Sequence, residues 1–301
     1  MRQELLGRQT TRWVPLPVDR HPRAEWKPFK SSAALREVPY GPSPQLVVDE
    51  MLNAAAVTAR DVVYDLGCGD GRIVITAAKD YGARGVGVDI DPQRIAECWQ
   101  NAIEAGVKDR VDFLQQSFFD VDFTKATVVT LYLLPWVNQI LRPRLFEQLR
   151  PGSRIVAHAF SLRDWTPDRV IRIPGSRVLY VWMVPARVGG RWRCTLRLPD
   201  GRTHPAVLEL EQEFQTVSGR GLIEREEVML QNVSLFGDRL RFSLRDPASH
   251  REMTYLCQVT GDQMHGVARS VGKTPRTFEL RARREREASW AVETASSPTF
   301  A

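Results

Sequence analysis

A chain of 301 residues is long enough for one large or two ordinary domains, each with a core of its own. Its 43% hydrophobic and 26% charged residues are those of a globular protein and exclude a disordered one. The formal net charge is +6, but only six cations are lysine (27, 30, 79, 108, 125 and 273), so nearly all the positive charge is arginine interspersed with acids; this reads as compositional bias ahead of a nucleic-acid footprint.

Residues 1–40 are rich in Pro, Arg and Trp without a period and read as an N-terminal arm. The N-terminus has no apolar signal-peptide core, and the longest uncharged stretch, 126–141, contains Pro135 and is too short to span a bilayer, so no membrane span is expected. "GPSPQLVVDEMLNAAAV" then starts a helix, with Ser43 as its expected N-cap and Pro44 in its first turn. From there short apolar strands alternate with amphipathic helices: strand 62–66, helix 72–80, strand 84–90, helix 91–107, strand 110–116, strand 127–134, a helix around 136–149, and strand 153–160. That alternation predicts a parallel sheet covered on both faces, an α/β Rossmann-like unit over 41–185. "RVIRIPGSRVLYVWMV" (169–184) predicts a hairpin closed at Pro174-Gly175-Ser176 that adds two antiparallel edge strands.

Beyond 184 the helical period disappears. Eight alternating runs separated by turn residues predict a C-terminal antiparallel β-barrel domain over 190–285, followed by a flexible tail, 286–301. Arginines and acids both occur among those runs, and this mixed charge is taken to argue against a nucleic-acid stripe. The four cysteines (68, 98, 194, 257) form no C-x-x-C pair and the five histidines show no ligand spacing. No metal site or disulfide framework is expected, and reduced thiols point to the cytoplasm.

The stretch that carries chemistry is "DVVYDLGCGDGRIVI" (61–75). Three glycines within five residues, placed between a strand and a helix, let a ligand approach the backbone where N–H groups face it. The spacing is Asp65-x-Gly67-x-Gly69-x-Gly71, with a second acid, Asp89, closing the next strand. Asp89 suits ribose hydroxyls. Asp65 is poorly placed for a pyrophosphate and well placed for a cationic amino-acid end, as in S-adenosylmethionine.

"VVYDLGCGDGR" with "GVGVDID" resembles motif I and its follower in class I S-adenosylmethionine-dependent methyltransferases. The resemblance covers about residues 38–184 and implies a seven-stranded sheet whose last strand is antiparallel. By the resemblance, Asp65 lies near the cofactor's ammonium, Gly67, Cys68, Gly69 and Gly71 form the approach, Asp89 holds the ribose, and Ile90 flanks the adenine. Ser117 stands where the family often has an acid for the adenine amino group, with Phe118 packing on the ring.

"TLYLLPW" (130–136) lacks the Asn/Asp-Pro-Pro-Tyr sequence of enzymes acting on planar exocyclic nitrogens. "VPYGPSP", "LYLLPW" and "RIVAHAFSLRDWTPD" together resemble the group that includes the mitochondrial lysine methyltransferases of the ATP synthase c-subunit and the adenine nucleotide translocase. That likeness implies an amine acceptor such as protein lysine. Tyr40, Tyr132 and Trp136 are candidates for the acceptor pocket, since aromatic walls hold a cation. His158 is a candidate proton acceptor, and Asp120 and Asp122 a candidate acidic lip.

Gly190-Arg191-Trp192, with Arg281 and Arg283 late in the chain, is similar to the opening and closing residues of lipocalin-type barrels, in which an Arg packs over a Trp. Such a barrel would hold a ligand, be filled with side chains, recruit the acceptor, or join two copies into a homodimer. A small-molecule methyltransferase, an RNA methyltransferase and a non-catalytic cofactor-binding scaffold remain alternatives at this point.

Overall fold

The computed structural model describes residues 41–285 except 176, 198–201, 224–225, 246–250 and 271–276. The arm 1–40 with Tyr40, the tail 286–301 and Ser176 of the expected hairpin turn lie outside the described residues.

Among the described residues, four α-helices and seven strands build the first unit. The strands are β1 (Val62–Leu66), β2 (Arg84–Asp89), β3 (Val111–Gln115), β4 (Val128–Leu131), β5 (Arg154–His158), β6 (Arg169–Ile173) and β7 (Arg177–Met183). The helices are α1 (Gln45–Ala54), α2 (Arg72–Tyr81), α3 (Pro92–Glu104) and α4 (Pro135–Gln148). The sheet order is β3-β2-β1-β4-β5-β7-β6, with β1 to β5 parallel to one another. Apolar runs buried on both faces drive this: β4 and most of β1 and β5 are fully covered.

Two local expectations are corrected. Pro44, not Ser43, caps α1. Ser43 is instead buried, and its hydroxyl lies 3.1 Å from His158 Nδ1, a partner 115 residues away that no local pattern reveals. In the hairpin, only β7 runs against the rest. It pairs antiparallel with β5, and β6, antiparallel to β7, ends up running with the parallel set.

The second unit is a nearly closed antiparallel sheet, ordered β11-β10-β9-β8-β16-β15-β14-β13-β12. Its strands are β8 (Gly190–Arg197), β9 (Thr203–Glu213), β10 (Thr216–Ile223), β11 (Glu226–Met229), β12 (Gln231–Phe236), β13 (Arg239–Arg245), β14 (Glu252–Thr260), β15 (Gln263–Ser270) and β16 (Thr277–Arg284). One of the eight expected runs, "VMLQNVSLF" (228–236), belongs to two strands. Buried Leu230 separates them, so one segment supplies both ends of the sheet, β11 on β10 and β12 on β13. Inward side chains, among them Trp192, Leu208, Phe242, Tyr255, Met264 and Leu280, form one buried cluster that fills the interior.

Arg284, rather than Arg281 or Arg283, stacks on Trp192, with its guanidinium carbon 4.6 Å from the ring centroid. Arg284 also donates to Gly189 O at 2.7 Å and to Arg187 O, closing one end of the barrel. Arg281 points outward and pairs with Glu279 at 2.8 Å.

The barrel meets the first sheet at the end where β5 begins. Ala186 N donates to Gly237 O, and the β9–β10 turn inserts Phe214, whose ring stacks on Trp165 at 5.1 Å. Phe146 of α4 stands edge-on to both rings.

Strand by strand, Arg and Glu are segregated and do not alternate, which corrects the expectation of a mixed charge pattern. Strands β9–β11 hold five glutamates and one arginine, whereas β13–β16 hold seven arginines and two glutamates. The barrel wall is polarised.

Candidate functional site

At the carboxyl ends of β1, β2 and β4 a cavity of about 490 Å³ opens, within the range that holds a cofactor. Asp65, Gly67, Cys68, Gly69, Asp89, Ile90, Phe118 and Tyr132 line it, and every lining residue belongs to the first unit. The cavity sits at the sheet's strand ends, where open α/β sheets bind ligands.

The glycine turn is held by β2. Gly67 N and Cys68 N both donate to Val88 O, at 2.8 and 3.0 Å. Gly69 N donates to Asp89 Oδ2 at 2.9 Å, and Asp91 N donates to Oδ1 at 3.0 Å. The second acid of the motif therefore fixes the loop itself, and its carboxylate keeps acceptor capacity toward the cavity.

Gly67 has φ +83, and a Cβ there would come within 2.9 Å of Leu133 Cδ2. Gly71 has a different reason. It caps α2 at φ +81, and a Cβ would strike Cys98 Sγ and Phe113, both at 3.0 Å, so it serves helix packing and does not line the cavity.

Asp65 is 3% exposed. Burial, with further repulsion from Asp89 and Asp70, pushes its carboxyl up to about 7, against the lowering effect of a 2.7 Å hydrogen bond donated by Thr130 Oγ1. Thr130 sits opposite Asp65 in the β1–β4 register. The sequence reading missed it, although a hydroxyl in an otherwise apolar buried strand is a usable signal. A buried, charge-penalised carboxyl beside an open cavity is suited to a cationic ligand group, which would favour its ionised form.

Cys68 and Cys98 are buried thiols with their sulfurs 3.8 Å apart, and Cys98 Sγ donates to Gly69 O at 3.0 Å. The contact to Cys98 and burial raise the Cys68 thiol well above its ordinary value, so it serves as packing beneath the loop and not as a nucleophile.

The remaining sequence candidates divide. Phe118 lines the cavity, while Ser117 accepts from Phe119 N at 3.2 Å and is not among the lining residues. Tyr132, 40% exposed, stands at the cavity and packs its ring on His158, with centroids 4.1 Å apart. His158 is buried behind it. Desolvation, and then Arg177, lower its ring below the usual histidine value, so it is neutral at physiological pH. Trp136 packs partly buried against the core on the α4 side and does not line the cavity. Asp120 and Asp122 are exposed and lie outside it. Missed altogether were Ser43 and Arg72 at the mouth, where Arg72 Nη1 donates to Ser43 O at 2.9 Å and pairs with Asp70.

Among the described residues no group of three or more His, Cys, Asp and Glu is placed to hold a metal ion. None of their helices is long and apolar enough to cross a membrane.

A seven-stranded sheet with one reversed strand, a glycine turn cinched by the second acid, and a buried carboxyl at the strand ends define an S-adenosylmethionine-dependent methyltransferase. The model of the ANTKMT methyltransferase domain matches residues 65–169. The chain is 50% identical over 151 residues to a protein-lysine N-methyltransferase of Saccharolobus islandicus, a match covering 49% of this chain and 94% of that protein. It belongs to this methyltransferase family. It is also 31% identical over 143 residues to the mouse adenine nucleotide translocase lysine N-methyltransferase, of whose length it spans 62%, and of this chain the match covers 47%. A crystal structure described as an RNA methyltransferase from Salinibacter ruber, in complex with S-adenosylhomocysteine, is 53% identical, with a TM-score of 0.48 over 49% of this chain and 96% of that one.

Proposed function

We propose that the chain transfers the methyl group of S-adenosylmethionine to the ε-amine of a protein lysine. The observation that carries this reading is the 50% identity to a protein-lysine N-methyltransferase almost all of whose length is matched, on a chain whose own cavity fits the cofactor. The cofactor supplies an electrophilic methyl on a sulfonium. The amine lone pair forms the new N–C bond as the S–C bond breaks, and the electron pair stays on sulfur as S-adenosylhomocysteine forms.

The chain's part is alignment and water exclusion. Asp65 faces the ammonium, Gly67, Cys68 and Gly69 admit the cofactor, Asp89 receives the ribose, and Ile90 and Phe118 flank the adenine. Tyr132 forms the wall past which the lysine enters. The lysine arrives protonated and must lose a proton before attack, which it gives to solvent water at the open mouth of the cavity. His158 is shielded by Tyr132 and bonded to Ser43, which supports a role in holding that wall over a role as base. We place the enzyme in the cytoplasm, its thiols reduced.

The barrel's filled interior and its position at the other end of the sheet speak against a small-molecule pocket there. The test is S-adenosylhomocysteine release on mixing the protein with a lysate protein fraction. Wild type releases it and Tyr132→Ala does so with raised KM and similar cofactor affinity. Turnover with the protein-free lysate fraction alone would overturn the reading.

A further inference from the structure

The polarised barrel wall is absorbed by neither the cofactor site nor the acceptor wall. Outward positions of β13–β16 form adjacent rows across four strands. Arg241, Leu256, Val267 and Glu279 face one another in register, and Arg239, Gln258, His265 and Arg281 form the next row. Arg269 stands one row to the other side, and Arg283 beyond Arg281. From strand spacing and rise, this wall is on the order of 15 by 20 Å.

Four of its arginines have no acidic partner: among the described residues no carboxylate lies within ion-pair distance of Arg239, Arg241, Arg269 or Arg283, all of them exposed. The only acid in the two central rows, Glu279, is held by Arg281. At the centre, Leu256 and Val267 are 53% and 42% exposed side by side. On the β9–β11 wall the picture inverts. Glu209 and Glu227 both engage Arg220, and the remaining glutamates there make a surface that repels anions.

We propose that the β13–β16 wall binds the backbone of a single-stranded nucleic acid. Every cation on it is a guanidinium, whose planar fork of donors matches phosphate oxygens better than an ammonium does. The exposed Leu256–Val267 pair gives unstacked bases or sugars an apolar contact that a closed duplex does not offer. The acidic wall confines a polyanion to one face. Because the barrel docks where β5 begins, away from the cavity, the wall is a tether and not the acceptor site, and its binding is independent of the cofactor.

The test uses the full chain and fluorescent 20-mer single-stranded RNA and DNA of mixed sequence, with affinity measured by anisotropy across salt. Four phosphate contacts give a log–log slope of about −3 and a loss of about fifty-fold from 50 to 200 mM salt. Arg241→Gln/Arg269→Gln halves the slope, leaving a loss of about seven-fold, while methylation of a free peptide by the same variant is unchanged. Should that variant melt early, Arg239→Gln/Arg283→Gln provides the same comparison. An unchanged slope in a folded variant overturns the proposal. So does binding confined to phosphatidylglycerol vesicles, or self-association abolished by the variant with no oligonucleotide bound by wild type.

Discussion

Replacing Asp65 by asparagine isolates the electrostatics of the proposed cofactor site. The carboxyl has an ordinary value of 3.8 and stands at about 7 in the folded chain, and it is raised chiefly by burial. Because the folded value lies above the unfolded one, the penalty is absent where both states are protonated and grows as pH rises toward 7. Above pH 7 it is complete, amounting to about 4 kcal/mol at one pKa unit per 1.4 kcal/mol. The amide of Asp65→Asn keeps an oxygen for Thr130 and carries no charge. The variant without cofactor is therefore more stable than wild type, and its advantage widens by about 2.5 kcal/mol between pH 5 and pH 8. Urea denaturation of both proteins at the two pH values reads this directly. In parallel, wild-type affinity for S-adenosylhomocysteine rises about ten-fold from pH 6 to pH 8 as Asp65 ionises, whereas the variant binds weakly and without that dependence. A stability difference that stays constant with pH would refute the reasoning, because a mere packing change has no titration.

Other perturbations probe separate parts of the account. Gly67→Ala forces a Cβ against Leu133 at φ +83 and is expected to cost about 1–3 kcal/mol, together with at least ten-fold in cofactor affinity by calorimetry. His158 is held below its ordinary 6.5, so folded protein resists its protonation and stability falls as pH drops through 6.5; His158→Gln is expected to flatten that acid limb in thermal melts. Phe214→Ala removes the ring wedged between Trp165, Phe146 and Arg142 and is expected to lower unfolding free energy by about 2–3 kcal/mol. The same variant should leave peptide methylation in place below its melting temperature.

How much was legible follows from how local each feature is. β1 begins and ends where the sequence places it, and α2 within one residue, because apolar periodicity and the glycine turn are short-range signals. Asp65, Gly67 and Asp89 stand out in one dimension because their spacing is itself the motif. What the sequence hides is pairing between distant segments. Ser43 looks like a helix cap and is taken by His158 across the fold, where burial makes a buried hydroxyl–imidazole bond preferable to an exposed cap. Ser117 sits at a family position, yet its hydroxyl turns back to Phe119 N. Gly71 belongs to the motif, but the space it keeps clear is for Cys98 and Phe113. The lipocalin-like Arg falls at 284, one residue past the nearest candidate, because only that position faces the barrel end beneath Trp192. The arginines of the charge wall are already grouped in the chain, because β13 to β16 are consecutive; what the sequence does not show is which of them stand in register on one outer face.

The most direct test of lysine methylation is the identity of the methylated atom. The protein is incubated with methyl-tritiated S-adenosylmethionine and a protein extract of its own source, with Gly69→Arg as the inactive control, and the labelled product is hydrolysed to amino acids. The expected result is label in protease-sensitive protein that co-elutes with mono-, di- or trimethyl-lysine and is absent from the control. Label recovered in nucleosides, in small molecules or in another amino acid would contradict it.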